Sequence, residues 1–229
     1  MPGPHQDRAR TTRERLVHGA ALVFADLGYT ASLSDITEAI GISKGGFYHH
    51  FRTKDAIAAA VIDGGVVTDE PMSGSALAPP TGGHPWAQLM VDLASRLAAL
   101  TPEVPAIRAA HRLATEPSTP FFGQIWRHYL PAITHVLQQA HEMGELLPWI
   151  DSDEMARTWI AAYTGYDLMR RSDPENLPQD IVGLNRSMVV QGVRLEVQRE
   201  LDLTIQRGRN LAAAHPLYAR AKALAAAYS

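Results

Sequence analysis

Residues 34–51 read SDITEAIGISKGGFYHHF, two stretches just long enough for short helices, parted by Gly41. Ser34 is placed to cap the first, Ser34 to Ile40, with Ile36, Ala39 and Ile40 turned inward. Ser43 is placed to cap the second, which runs through about His50. Two short helices divided by a glycine have the dimensions of a helix-turn-helix. Helices on either side complete the group. The first spans about Arg8 to Leu27, where Leu16, Ala20, Val23, Phe24 and Leu27 recur at three- and four-residue steps, and Gly28 stops it. Thr53 can cap a fourth, whose apolar face carries Ala56, Ile57, Ala60 and Val61.

The second helix of such a pair enters the DNA major groove with its N-terminal residues at base edges. Lys44 sits there, at a helix end that also favours phosphate. Gly45 and Gly46 let the backbone approach closely, although each costs about 1 kcal/mol of helix stability relative to Ala. Tyr48 and His49 offer a phenol and an imidazole for phosphate contact, and Lys54 adds a cation. Phe47 and Phe51 read as core aromatics; Tyr48 reads either as core or as phosphate contact, the second being preferred. His49 and His50 do not make a metal site, because adjacent helix positions do not face each other and no Cys or HExxH frame supports them.

The net charge of −3 and pI near 6.4 do not exclude DNA binding, because the location of the charge matters. Arg8, Arg10, Arg13 and Arg15 crowd the N-terminal arm, and Lys44, Arg52 and Lys54 form a second group. No apolar run is long enough for a membrane span, and the N-terminus lacks the apolar stretch of a signal peptide. Cys is absent, which removes disulfides, thiol nucleophiles and thiolate metal sites. A cytoplasmic protein without cofactor or metal is expected.

Gly64-Gly65 weakens the fourth helix, and the Pro- and Gly-rich stretch from Glu70 to Pro85 reads as a loop and a seam. Beyond it, helices are expected over about 85–100, 103–115, 119–143, 152–171, 178–193 and 195–214. Asp151 and Glu154 form a capping pair, and Pro131 sits inside a helix. No β alternation of useful length appears. The expected fold is all-α: a DNA-binding domain over residues 8–62, a larger helical domain over 63–215 and a C-terminal tail over 216–229.

Residues 13–62 closely resemble the DNA-binding domain of TetR-family repressors. The matching parts are FADLGY (24–29), LSDITEAIGISKGGFYHHF (33–51) and KDAI (54–57). The family usually has a small residue other than Gly at position 46, a mild departure here. The resemblance implies a homodimer with paired helical heads, a ligand-binding helical body and repression relieved by a small molecule. It implies phosphate-facing positions at Ser32 and Ser34, recognition-helix contacts at Lys44, Gly45, Tyr48 and His49, and a closing contact at Lys54.

The body in turn resembles the γ-butyrolactone receptors of actinomycetes, through VPAIRAAHRLATE (104–116), FFGQIWRHYLPAI (121–133) and GELLPWIDSDEMARTWIAAYTGYDLM (144–169). The resemblance implies a tryptophan, Trp126, packed on the ligand and a threonine, Thr164, hydrogen-bonded to it. The residues agree in part: Trp126, Leu130 and Ile133 share one helix face, and Ile160, Thr164 and Leu168 another. Two such faces can line an apolar cavity with one polar handle. Equally, Trp126 can be core and Thr164 can bond its own helix. Gly65 stands where several butyrolactone receptors have a ligand-facing glutamine, and Asp167 stands beside the threonine. A γ-butyrolactone or a butenolide is the expected ligand, and an antibiotic intermediate or no ligand at all, as in pseudo-receptors, is the alternative.

The resemblance also places dimerisation on the late helices, with Met155, Trp159, Met188, Val189, Val193 and Leu195 as candidates for either interface or core. Paired heads imply a palindromic operator on double-stranded DNA. An enzyme is not expected. His128 and His135 lie two turns apart, about 10 Å at the backbone, too far to share a metal easily. No GxSxG, P-loop or GxGxxG occurs.

Overall fold

The computed structural model describes residues 4–65, 83–177 and 181–228, with side chains placed from residue 11 to 227. Twelve helices are named among them. They are α1 (Pro4–Leu27), α2 (Leu33–Ile40), α3 (Lys44–His50), α4 (Lys54–Gly65), α5 (Pro85–Glu103) and α6 (Pro105–Thr115), then α7 (Gln124–Glu142), α8 (Ser152–Ser172), α9 (Val182–Gly192), α10 (Leu195–Gln198), α11 (Ile205–Ala213) and α12 (Pro216–Tyr228). A 3-10 turn, Gly28–Thr30, separates α1 from α2, and Leu146 and Val193 form an isolated antiparallel bridge. The all-α expectation holds. Most of the expected seam, residues 70–82, lies outside the described residues.

The chain divides into two compact units. The first joins residues 1–66, 101–125 and 217–229; the second joins 67–100 and 126–216. The first is therefore more than the N-terminal head: α6 and α12 belong to it. Residues 216–229, set apart above as a tail, are helical over Pro216–Tyr228.

The first unit closes on Leu16, Ala20 and Phe24 from α1, Ile36 from α2, Phe47 and Phe51 around α3, Ile57 and Val61 from α4, and Ala109, Ala110 and Leu113 from α6. Three inward assignments need correction, one of them Ala56, which is exposed while Ala58 is buried in its place on α4. Leu27 is 47% exposed, because α1 ends there and Gly28 turns the chain away at φ 66°. Ala39 is exposed, and Thr37 is buried instead, because α2 turns Leu33, Ile36, Thr37 and Ile40 towards the core at three- and four-residue steps.

The second unit buries Ala87, Met90 and Val91 from α5, Val136, Leu137 and Ala140 from α7, and Ala156 from α8. Met155, Trp159, Met188, Val189 and Val193 are buried in the same cluster, so these five interface candidates are intramolecular core. Leu195 stays 59% exposed.

Several expected helices begin late or split, each for a local reason. Val104 precedes Pro105, which takes the first helical position of α6. Gly123, at φ 74°, keeps residues 119–123 in turns, so α7 starts at Gln124. It then runs through Pro131. The expected helix over 195–214 divides into α10 and α11. Between them Gln88 exchanges two bonds with the backbone of Asp202 (3.1 and 2.8 Å), and Thr204 caps α11 through the Arg207 N–H. Asp151 caps α8 as expected, accepting from the Glu154 N–H at 2.8 Å.

Candidate nucleic-acid interface and effector site

The helix pair begins with a cap two residues earlier than the sequence suggested. Ser32, not Ser34, is the N-cap of α2. Its hydroxyl accepts from the Asp35 N–H at 3.1 Å, and the Asp35 carboxylate accepts from the Ser32 N–H at 2.7 Å. This reciprocal box satisfies two helix-end donors at once. Those bonds to Ser32 hold the Asp35 carboxyl below its usual range. Ser34 is exposed on the first turn.

Gly41 ends α2 in the left-handed conformation, φ 71° and ψ 37°. Its N–H bonds Glu38 O at 3.1 Å, and the Ile42 N–H reaches back to Thr37 O at 3.0 Å. A Cβ at Gly41 would meet nothing within 4 Å, so the positive φ alone calls for glycine.

Ser43 then caps α3, accepting from the Gly46 N–H at 3.1 Å. Phe47 is fully buried and Phe51 is 4% exposed, their rings 6.0 Å apart. Each such burial is worth roughly 1.5–3 kcal/mol, which anchors α3 by one face. The other face carries Lys44, Gly45, Gly46, Tyr48 and His49, all exposed. Lys44 and Tyr48 are one turn apart, as are Gly45 and His49, so they form adjacent outward rows. Tyr48 is 53% exposed and rests edge-on against Phe47 at 5.7 Å. Arg13, Arg15 and Arg52 are exposed as well, and Arg13 lies over the Phe51 ring at 4.9 Å.

Lys54, the cation expected to close the DNA-facing group, is half-buried and makes bonds within the protein. Its ammonium donates to Tyr29 O at 2.8 Å and Ala31 O at 3.1 Å, and lies 3.9 Å from the Tyr29 ring centre. The Tyr29 hydroxyl donates to Asp55 in a short hydrogen bond, which pushes the phenol up to about 12. Lys54 thus ties the start of α4 to the turn before α2.

In the second unit the structure joins two predicted effector residues. The Trp126 indole N–H donates to the Thr164 hydroxyl at 3.2 Å, and both side chains are half-buried. Leu130 packs half-buried against the second core, and Ile160 is half-buried. Leu168 is 45% exposed, away from the closed interior. Tyr163, Tyr166, Asp167 and Arg170, with Ala98 and Ile181, line a small cavity of about 10 Å³. Asp167 is buried and paired with Arg170 at 3.0 Å and Arg171 at 3.1 Å, which resolves the charge noted beside the threonine.

A sequence model of the bacterial regulatory proteins, tetR family, matches residues 16–61. The A-factor receptor protein of Streptomyces griseus is 33% identical over 172 residues, which cover 73% of this chain and 58% of that receptor. Residues 16–61 thus form a domain of the tetR family, while the match covers less than two thirds of the receptor's own length. Full-length tylp, a tetR regulator from Streptomyces fradiae, shares its fold at a TM-score of 0.68, with 26% identity over 93% of this chain and 99% of that one. A gamma-butyrolactone receptor described as ArpA-like aligns at a TM-score of 0.66 and 22% identity, over 93% of this chain and 99% of that one, a likeness of fold. The tetR-family relatives are transcriptional regulators, which are not enzymes.

Gly65 has a structural explanation that the sequence did not supply. A Cβ there would lie 2.0 Å from Ala106 O and 2.9 Å from the Ala110 Cβ. The end of α4 runs against the backbone of α6, and no side chain fits between them. A glutamine at this position would have no room. Tyr29 and Asp55 were likewise missed; their signal was the FADLGY and KDAI segments, which carry both residues.

Proposed function

We propose that this chain is a tetR-family transcriptional repressor that binds a palindromic operator as a homodimer and releases it on binding a small lactone-like autoregulator. The observation that carries the DNA half is the two-faced α3. Phe47 and Phe51 hold one face in the core, while Lys44, Tyr48, His49 and two glycines stand on the other. Ser32 and Ser34 lie at the start of α2, where phosphate contacts fit. Lys54 contributes by fixing the turn before α2. Residues 8–62 read DNA, and residues 63–215 hold the effector and the partner copy. Leu168 and Met169 on α8 and Val190 on α9 are 45–59% exposed and supply apolar surface for dimerisation. The protein acts in the cytoplasm; no helix among the described residues is long and apolar enough to cross a membrane.

For the effector half, the Trp126–Thr164 hydrogen bond supports a site in which a lactone carbonyl or hydroxyl competes for the threonine while the ring stacks on the indole. The A-factor receptor's name points the same way. A second reading has an observation of its own. Gly65 admits no glutamine, so a receptor of altered specificity, answering an antibiotic intermediate or no ligand, fits that position.

Two variants test the proposal. Lys44→Ala should weaken binding to a duplex that the wild-type protein selects from a random-sequence pool, and should reduce the slope of log K against log salt by about 1. Unchanged affinity and slope would refute the α3 assignment. Trp126→Ala should bind that duplex normally yet fail to release it when a synthetic γ-butyrolactone that releases the wild type is added. Release at the wild-type concentration would refute the effector site.

A further inference from the structure

The turn between α1 and α2 is gripped from α6 by two charged side chains. The Arg112 guanidinium donates to Ala25 O at 3.1 Å and Asp26 O at 2.5 Å, the carbonyls of the last turn of α1. Its Nε donates to Glu116 at 2.9 Å. The other oxygen of Glu116 accepts from the Tyr29 N–H at 2.8 Å. Arg112 and Glu116 therefore do more than pair along one helix. They satisfy backbone groups of the segment that leads into α2.

Apolar packing alone does not define this junction. Among the buried residues that α6 gives to the first core, Leu113 is large but Ala109 and Ala110 are small, and Gly65 of α4 lies directly against the α6 backbone at Ala106. Small side chains permit close approach but interlock weakly, so they set a distance more firmly than a register. Charge-assisted hydrogen bonds to fixed backbone atoms are directional and set the register. Arg112 also places its positive charge at the C-terminal end of α1, where carbonyls lack helical partners.

We propose that Arg112 and Glu116 are positioning residues for operator binding: they lock α6 to the α1–α2 turn and so hold the helix-turn-helix in the orientation that DNA requires. This inference rests on the operator-binding reading above. Both side chains are partly buried, at 31% and 26% exposure, and bonded to the head itself. They touch no DNA and preorganise the surface that does. Without the clasp the head must be ordered at the moment of binding, which lowers affinity without removing a phosphate contact.

The test uses the full chain and a duplex that the wild-type protein selects from a random-sequence pool. If the wild type selects no sequence, the operator-binding reading fails before the clasp is at issue. Given a selected duplex, Arg112→Gln and Glu116→Gln should each weaken binding about tenfold, or ~1.4 kcal/mol. The salt slope should stay at the wild-type value, because the number of released counterions is unchanged. A slope reduced by about 1 in Arg112→Gln would make it a DNA contact and overturn the positioning role. The double exchange Arg112→Glu with Glu116→Arg keeps an ion pair along α6 but removes the donor to Ala25 and Asp26 and the acceptor for Tyr29. It should bind as weakly as the single variants. Wild-type affinity in the exchanged protein would reduce the pair to a helix-stabilising bridge and overturn the proposal. Far-UV circular dichroism and thermal unfolding accompany each variant. Glu116→Gln retains every Arg112 bond to α1 and so gives a reading even if Arg112→Gln unfolds.

Discussion

Replacing Gly45 with Ala sets the stability of α3 against its grip on DNA. A Cβ at Gly45 would have the Ser43 hydroxyl at 3.9 Å as its nearest neighbour, so the free protein has room for a methyl group. The residue is exposed in the first turn of a helix. Alanine should therefore stabilise the head by about 0.5–1 kcal/mol, the usual difference in helix propensity. In a chain of this length that is a rise in Tm of roughly 1–4 °C. Nothing within the protein calls for glycine here, yet a residue that costs helix stability is present. Close approach of the α3 backbone to DNA supplies the reason. A methyl group forced into that contact should cost about 1–3 kcal/mol, like other overpacked sites, and so about 5- to 150-fold in affinity. Thermal unfolding and fluorescence anisotropy on the selected duplex measure the two effects. A higher Tm with unchanged affinity refutes the close approach. A lower Tm refutes the claim that the site is open.

Two further outcomes follow from packing and charge. Gly65→Ala should destabilise the protein by about 1–3 kcal/mol in urea unfolding, because the new Cβ meets the Ala106 carbonyl at 2.0 Å; a neutral effect would mean that α4 and α6 separate freely. Burial, reinforced by the nearby Arg96 charge, pushes His215 down to about 4. The folded state then refuses a proton that the unfolded state accepts, so His215 contributes stability above about pH 6.5 that is lost as the pH falls towards 4. His215→Gln should flatten that part of the stability profile, and an imidazole NMR titration midpoint near 6.5 in the wild type would contradict the burial.

Much of the head was legible because its signals are local. Gly41 and Ser43 act within five residues, and the Phe47–Phe51 pair lies one turn apart on one helix face. The misplaced cap shows the limit of such reading. Ser32 and Ser34 are both acceptable caps, and the choice went to the serine with Asp35 three residues on to complete the box. The late helices were less legible. Met155, Trp159, Met188, Val189 and Val193 have the helical spacing of an interface and of a core alike, and burial put all five in the core. Pro216 followed by an Ala- and Leu-rich run is a local helix signal, but no local pattern reveals that residues 217–228 group with the first unit, because that grouping depends on segments far away in the chain.

The helix-turn-helix itself follows from the order of residues, since a cap, a left-handed glycine and two aromatic anchors need only neighbouring backbone to act. Which groups their side chains hold is a different matter. Lys54 spends its ammonium on two carbonyls more than twenty residues away, Trp126 meets Thr164 across 38 residues, and Glu116 meets the Tyr29 N–H across 87. Those partners are brought within hydrogen-bond reach by packing of whole helices, whose entropy cost no short segment can offset alone. Sequence therefore identified the surface proposed to meet DNA, and packing brought together the Arg112 and Glu116 bonds behind it.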